Sequence, residues 1–209
     1  MISTFRTPPP PRCGWCGDDP LYCRYHDEEW GVPQRDGRVL FEKLCLEGLQ
    51  AGLSWITILR RRDDLRIAFD GFEPDRLAAW TDEDRLAVLD RPGVIRHRGK
   101  IEAICGNARA VIDEFEGLDD FSRFVWSFAP ASDAERRRPE TSNDLATETA
   151  ESRRLASAHA IRLGGGGARG LPTLYELGAV LLHVVLHLEG AESGEREVDA
   201  GEAVEAKIQ

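Results

Sequence analysis

The sequence predicts an all-α protein, and three observations favour this fold class. Leucine, isoleucine and other apolar residues recur three and four positions apart in several stretches, which is the spacing of one helix face. Alternation of apolar and polar residues, typical of half-buried strands, is scarce. With 209 residues and 42% hydrophobic content, the chain is long enough to bury one sizeable core.

The first predicted helix spans Gly37 to Gly52, where leucines recur at helical spacing. A short helix opens at Glu73-Pro74-Asp75 and ends near Trp80, because proline is favoured in the first turn. The next helix follows Thr81, whose neighbours form a capping-box pattern. A longer helix with an apolar stripe begins near Arg98.

Two further helices are predicted towards the C-terminus, a short aromatic one from Phe121 to Phe128 and an apolar one from Leu174 to Leu188. We expect residues 1–11, which are rich in proline, to form a disordered arm. The folded domain is predicted over residues 12–187, followed by an acidic disordered tail at 188–209.

The net charge of −10 argues against a protein that coats nucleic acid through general basicity. Seven acidic and two basic residues lie between Leu188 and Gln209, so half of the net charge belongs to the predicted tail. Basic residues cluster instead at Arg60-Arg61-Arg62 and around Arg96 and Arg98. Such clusters are candidate phosphate contacts, although a solvated helix face is the commoner explanation.

The sequence contains no apolar run of 18 residues and no apolar core of a signal peptide near its start. We therefore expect a cytoplasmic protein that does not enter membranes. Five cysteines, an odd number, argue against a disulfide framework. Cys13, Cys16 and Cys23 lie close to His26 in the sequence, and this clustering is typical of metal sites.

The segment from Cys13 to Trp55 is rich in aromatic residues and includes Glu47 among apolar neighbours. Aromatic faces can stack on a flat ligand, and a carboxylate in apolar surroundings can accept hydrogen bonds or stabilise positive charge. This composition predicts a binding pocket. For any single aromatic residue, a place in the hydrophobic core is the alternative.

A tight turn from Leu89 to Arg96 separates two predicted helices, and basic residues follow it. Exposed amides at such a turn can bind a DNA phosphate. The alternative is an ordinary interhelical turn in which Gly93 supplies a positive φ.

Ordered motifs over residues 12 to 128 resemble those of the bacterial 3-methyladenine DNA glycosylase I family. The matching segments are Arg12-Cys13-Gly14-Trp15, Asp19-Pro20-Leu21-Tyr22, Tyr25 to Pro33, Leu46 to Trp55, Ile95 to Ile101, Gly106 to Ala110 and Phe124 to Phe128. The resemblance implies a helix-hairpin-helix glycosylase fold. It also implies a monomer that binds alkylated double-stranded DNA, extrudes the damaged nucleotide and hydrolyses its N-glycosidic bond to release 3-methyladenine.

The resemblance assigns the base pocket to Glu47, Tyr25 and Trp55, and the surrounding residues add Trp15 and Tyr22 as further walls. Glu47 is the candidate catalytic residue, because a 3-methylated adenine is cationic and a carboxylate favours the positive ring.

The turn around Gly93 matches the hairpin of the family, which makes Gly93, Arg96, Arg98 and Lys100 the candidate DNA contacts. No lysine is expected at the base pocket, so the predicted product is an intact abasic site and not a cleaved strand.

The family also joins its chain ends through a structural zinc ion, and Cys13 and His26 match the N-terminal pair of ligands. The C-terminal pair is altered: one alignment places His187 on the zinc histidine and Ala191 on the cysteine, whereas ligand spacing selects His183 and His187.

Two alternatives to this tie remain open. A local site could use Cys13, Cys16, Cys23 and His26, or the chain could bind no zinc. A second function class is likewise open, a zinc-stabilised module that binds duplex DNA without glycosylase activity.

Overall fold

A computed structural model of the protein describes residues 12–30, 32–129 and 154. Its described residues form helices, turns and loops without a β-strand, so the predicted all-α class is confirmed for this part of the chain. The predicted N-terminal arm, the helix at 174–188 and the acidic tail lie outside the described residues, as do His183 and His187.

The helices follow one another through short connections. Their bounds are α1 Pro20–Glu28, α2 Gly37–Gln50, α3 Trp55–Ala68, α4 Pro74–Ala78, α5 Asp82–Ala87, α6 Arg98–Glu114 and α7 Leu118–Trp126. Three single 3-10 turns lie at Gly14–Cys16, Asp70–Phe72 and Val88–Asp90. In the described part of the chain, the longest helices are therefore the central α2 and α3 and the later α6.

Helix starts follow the local sequence closely. Asp19 caps α1 by accepting from the backbone N–H groups of Leu21 and Tyr22, and Pro20 occupies the first turn. The capping box predicted at Thr81 is confirmed, because Thr81 and Asp84 exchange side-chain to backbone hydrogen bonds. These caps satisfy the N–H groups that helices leave unpaired.

The predicted bounds differ from the structure in two places. Helix α2 ends at Gln50, since Gly52 adopts a left-handed φ of 76° that terminates the helix. Helix α7 begins at Leu118, earlier than the predicted start at Phe121, because Asp119 and Asp120 favour its first turn. The start of α6 at Arg98 is confirmed.

Helix α2 lies at the centre of the described domain, where it contacts α3, α6 and α7. Its apolar face includes Leu40, Phe41 and Leu49, all nearly or completely inaccessible to water. At its N-terminus, Gly37 approaches α7 so closely that a Cβ there would lie 2.1 Å from the carbonyl oxygen of Leu118. Any side chain at this position would force the two helices apart.

Helix α3 is fastened to both preceding helices by arginine–carboxylate pairs. Arg62 makes two hydrogen bonds to Glu29, just after α1, with Nη2 lying 2.8 Å from Oε1. Arg66 likewise contacts Glu42 of α2 through Nε at 2.8 Å, and Glu42 is buried. Such two-point contacts fix orientation, so α1, α2 and α3 are held in one arrangement.

Candidate active site and DNA-contact surface

The four aromatic residues proposed for the base pocket meet in one cluster. Tyr22 and Tyr25 come from α1, Trp15 from the preceding 3-10 turn, and Trp55 from the first position of α3. The ring centroids of Trp15 and Tyr22 lie 4.7 Å apart, and those of Tyr25 and Trp55 lie 5.6 Å apart. Inclined rings at these distances pack favourably edge to face.

The cluster is well shielded from water. Tyr22, Tyr25 and Trp55 are each less than a tenth exposed, and Trp15 is half-buried. The indole Nε1 of Trp15 is buried and meets no hydrogen-bond acceptor among the described residues. A buried donor of this kind is costly unless a partner satisfies it.

Glu47 lies on α2 beside this cluster, half-buried. Burial raises the pKa of its carboxyl group to about 7, although the neighbouring Lys43 ammonium lowers it. The charge of this carboxyl group therefore changes within the neutral pH range. A pKa matched to the working pH is typical of functional carboxylates.

Lys43, which was not predicted as a site residue, contacts the aromatic cluster, so the expectation that no lysine lies there is wrong. Its Nζ donates a hydrogen bond of 2.7 Å to the Tyr25 hydroxyl and lies 5.3 Å from the centroid of the Trp55 ring. The spacing of Lys43 and Glu47, one helical turn apart on α2, could have revealed it, because side chains four positions apart share a face.

The turn after α5 presents the candidate DNA contacts. Gly93 has a φ of 74°, and a Cβ added there would lie 2.4 Å from the Cβ of Asp64 on α3. The Gly93 carbonyl also accepts a hydrogen bond of 3.3 Å from Arg61. Glycine is therefore required at this turn by both conformation and space.

The basic residues after the turn have different surroundings. Arg96 is exposed. Arg98 is also exposed and pairs with Glu102 one turn later on α6, at 2.7 Å. Lys100 instead points inward, and its Nζ donates to the carbonyl of Leu49 at 2.9 Å and to that of Ala51. Lys100 thus stabilises the C-terminal end of α2. The sequence predicted Lys100 only as a phosphate contact and did not indicate this inward role.

Cys13 and His26 lie together, as the resemblance implied. The completely buried His26 accepts the backbone N–H of Cys13 at Nε2, over 3.3 Å, while its Nδ1 lies 3.0 Å from Oδ1 of Asp27. Asp27 is also held by Arg12, whose hydrogen bonds lower the pKa of the Asp27 carboxyl. A carboxylate that orients a histidine in this way is usual behind zinc ligands. The Nε2 atom that would bind a metal accepts the Cys13 N–H here, so binding of zinc by His26 would require this hydrogen bond to be displaced.

The local zinc alternative is not seen in the described residues. All four of its members lie there, yet no group of three or more His, Cys, Asp or Glu residues in that part of the chain is placed to hold a metal. The Cys16 thiol donates to the Cys13 carbonyl, and the Cys23 thiol to the Gly17 carbonyl.

The fold and site together define a helical protein with a shielded aromatic cluster, an acidic residue of elevated pKa and a glycine turn flanked by arginines. Comparison with known proteins is more specific: residues 15–164 match the methyladenine glycosylase family model. The chain belongs to the methyladenine glycosylase family.

Individual relatives agree with this assignment. DNA-3-methyladenine glycosylase 1 of Escherichia coli strain K12 is 47% identical over 147 residues, which is 70% of this chain and 78% of that protein. DNA-3-methyladenine glycosylase of Haemophilus influenzae is 50% identical over 56% of this chain and 63% of its own length. A crystal structure of 3-methyladenine DNA glycosylase I (TAG) superimposes with a TM-score of 0.72 at 41% identity, covering 86% of this chain and 95% of the other.

The described residues include no helix long and apolar enough to cross a membrane.

Proposed function

We propose that this protein hydrolyses the N-glycosidic bond of 3-methyladenine in alkylated double-stranded DNA, releasing the free base and leaving an abasic site for base-excision repair. The main support is Glu47, a carboxylate beside a shielded aromatic cluster. The relatives named for this activity share 47% and 50% identity with the chain.

The pocket suits the electronic character of the substrate. Methylation at N3 makes the adenine ring cationic and weakens its bond to deoxyribose, so little acid catalysis is needed. Electron-rich rings such as those of Tyr25 and Trp55 attract a cation. The Glu47 carboxylate accepts hydrogen bonds from the exocyclic amine and stabilises the charge, and water then replaces the base at the sugar.

The base must leave the helix stack before it enters the pocket. Extrusion costs a few kcal/mol, and less for a damaged base, so contacts to the DNA backbone have to supply this free energy. In our proposal the Gly93 turn is the hairpin of a helix-hairpin-helix motif and offers its amides to a phosphate. The exposed Arg96 and Arg98 add positive charge beside it.

Lys43 does not turn the enzyme into a lyase. A lyase needs an uncharged amine that attacks the sugar, whereas the pKa of Lys43 is raised: burial opposes the charge, but Tyr25 and Glu47 outweigh it. The ammonium is also bonded to the Tyr25 hydroxyl. The abasic site therefore remains intact.

We also propose that a structural zinc ion joins the two ends of the chain. Cys13 and His26 would provide two ligands, and His187 and His183, outside the described residues, the others. The metal would supply stability alone and take no part in the reaction. We further propose that the protein acts as a monomer in the cytoplasm.

The experiment that tests the function is chromatography of the bases released from methylated duplex DNA. Release of free 3-methyladenine well above the spontaneous release without protein supports the proposal. A folded protein that binds this DNA with ordinary salt dependence, shows no preference for alkylated sites and releases no base would be the DNA-binding module instead.

A further inference from the structure

Lys43 places a positive charge inside a pocket that is to receive a cationic base. Its Nζ lies 4.9 Å from the ring centroid of Tyr25 and 5.3 Å from that of Trp55. Like charges repel, and burying an ammonium costs free energy, so a lysine here needs a compensating role.

The hydrogen bond to Tyr25 indicates part of that role. An ammonium group has only donors, so the Tyr25 oxygen must accept in the 2.7 Å contact. The phenolic proton is then directed away from Lys43. Tyr25 is almost completely buried, so its hydroxyl orientation is fixed from within the protein and does not depend on bulk water.

The second part of the role concerns Glu47. Burial favours the neutral carboxyl group, which would have no charge to offer a cationic ring. Lys43 lies one turn earlier on the same helix and favours the ionised form. Because the two neighbouring charges sum to zero, a carboxylate can be kept beside the aromatic cluster before the base arrives.

Other charged groups around the pair support this arrangement. Tyr25 and Glu29, on and just after α1, act on the Lys43 ammonium together with Glu47. Glu29 is itself paired with Arg62 of α3, and Arg66 acts on it more weakly. Glu29 therefore contributes less to the pocket than Glu47 does.

We propose that Lys43 is a positioning residue of the base pocket, which orients the Tyr25 hydroxyl and holds Glu47 as a carboxylate ready for the cationic base. The statement about the base rests on the proposed function. The effect of Lys43 on the ionisation of Glu47 can be measured without any substrate.

The direct test is the titration of the Glu47 carboxyl carbon by 13C NMR, with its signal assigned by loss in Glu47→Gln. Lys43→Gln retains a hydrogen-bond donor but removes the charge, whereas Lys43→Arg retains the charge. We expect the midpoint to rise by about one pH unit or more in Lys43→Gln, and to remain near the wild-type value in Lys43→Arg. An unchanged midpoint in a folded Lys43→Gln protein would overturn the proposal.

Single-turnover base release between pH 6 and 9 gives the second readout. The rate of Lys43→Gln should fall by about fivefold or more at pH 7 and recover towards wild type at pH 9, as Glu47 ionises. A loss that is equal at every pH would mean that Lys43 is merely structural. Arg123→Gln, which removes an exposed charge paired with Asp120 on α7, serves as the control and should match wild type.

Failure of the glycosylase function and failure of the Lys43 role would give different results. If the Glu47 titration midpoint rises in Lys43→Gln but the wild-type protein releases no base, the role of Lys43 towards Glu47 stands and the glycosylase function is rejected. Base release by wild type, with the Glu47 midpoint unmoved in Lys43→Gln, would do the reverse. Thermal unfolding followed by circular dichroism confirms that each variant is folded.

Discussion

The Lys100 ammonium on α6 donates to the carbonyl oxygen of Leu49, two residues beyond Glu47 on α2. A second bond, to the Ala51 carbonyl, engages the loop that leads to Trp55. The helix that follows the glycine turn is thus bonded directly to the end of the helix that bears the candidate catalytic carboxylate. A DNA contact at the Gly93 turn would therefore be connected to Glu47 through α6 and the hydrogen bonds of Lys100.

Replacing Lys100 by methionine should therefore lower stability. The variant leaves two carbonyl groups without a charged donor, and we expect the free energy of unfolding to fall by about 1–3 kcal/mol. Urea unfolding measures the change. If Lys100 also contacted a phosphate, the slope of log Kd against log salt would fall by about one; we expect that slope to be unchanged.

Arg96→Gln is the matched comparison, because Arg96 is exposed beside the same turn. It should leave unfolding unaltered, weaken DNA binding and reduce the salt slope by about one. Equal salt slopes in Arg96→Gln and wild type would remove Arg96 from the DNA-contact surface.

Substitution of Gly93 by alanine should disrupt the turn. The left-handed φ of 74° is unfavourable for alanine, and the new Cβ would collide with Asp64. We expect a loss of about 1–3 kcal/mol in stability and weaker DNA binding. Gly106→Ala is the control: Gly106 is inside α6 with open space around it, so alanine should stabilise by about 0.5–1 kcal/mol.

Glu47→Gln should stabilise the protein at alkaline pH. The folded pKa of Glu47, about 7, lies above its ordinary value of 4.5, so the folded state binds the proton more tightly than the unfolded state does. Ionisation of Glu47 therefore lowers the stability of the wild-type fold. This loss is absent below about pH 4.5, grows as the pH rises through 7 and is complete above it. We expect glutamine to add about 3 kcal/mol at pH 8.5 and less than about 1 kcal/mol at pH 5. Chemical unfolding at both pH values measures this, and an equal effect at both would contradict the raised pKa.

Metal analysis of the purified protein tests the zinc tie. We expect about one equivalent of zinc, lost in His187→Ala and retained in Cys16→Ala. Chelation should lower the melting temperature sharply, because structural zinc contributes on the order of 10 kcal/mol in small domains. Loss of zinc in Cys16→Ala with retention in His187→Ala would select the local site instead.

Several helices could be predicted from the sequence because their bounds depend on local spacing. The starts of α2, α5 and α6 follow from capping residues and apolar periodicity. Helices α1 and α3 were not predicted, although Asp19 and Pro20 are a good start for α1. Helix α3 has arginines and aspartates around much of its surface, so its apolar stripe is weak.

The pocket was predicted only in part. Its aromatic residues and Glu47 lie in one segment with a family pattern, and the structure brings them together. Lys43 was not predicted, because its hydrogen bond to Tyr25 joins two helices across 18 sequence positions. The inward turn of Lys100 depends on a contact across 51 sequence positions, which no local pattern encodes.

The central claim is that Glu47 stabilises a cationic base during hydrolysis. It is tested most directly by the single-turnover rate of 3-methyladenine release from methylated duplex DNA, compared between wild type and Glu47→Gln at pH 7.5. We predict rapid release by wild type and a rate at least about 100-fold lower in the variant, with DNA binding retained. Equal rates in the two proteins would contradict the account.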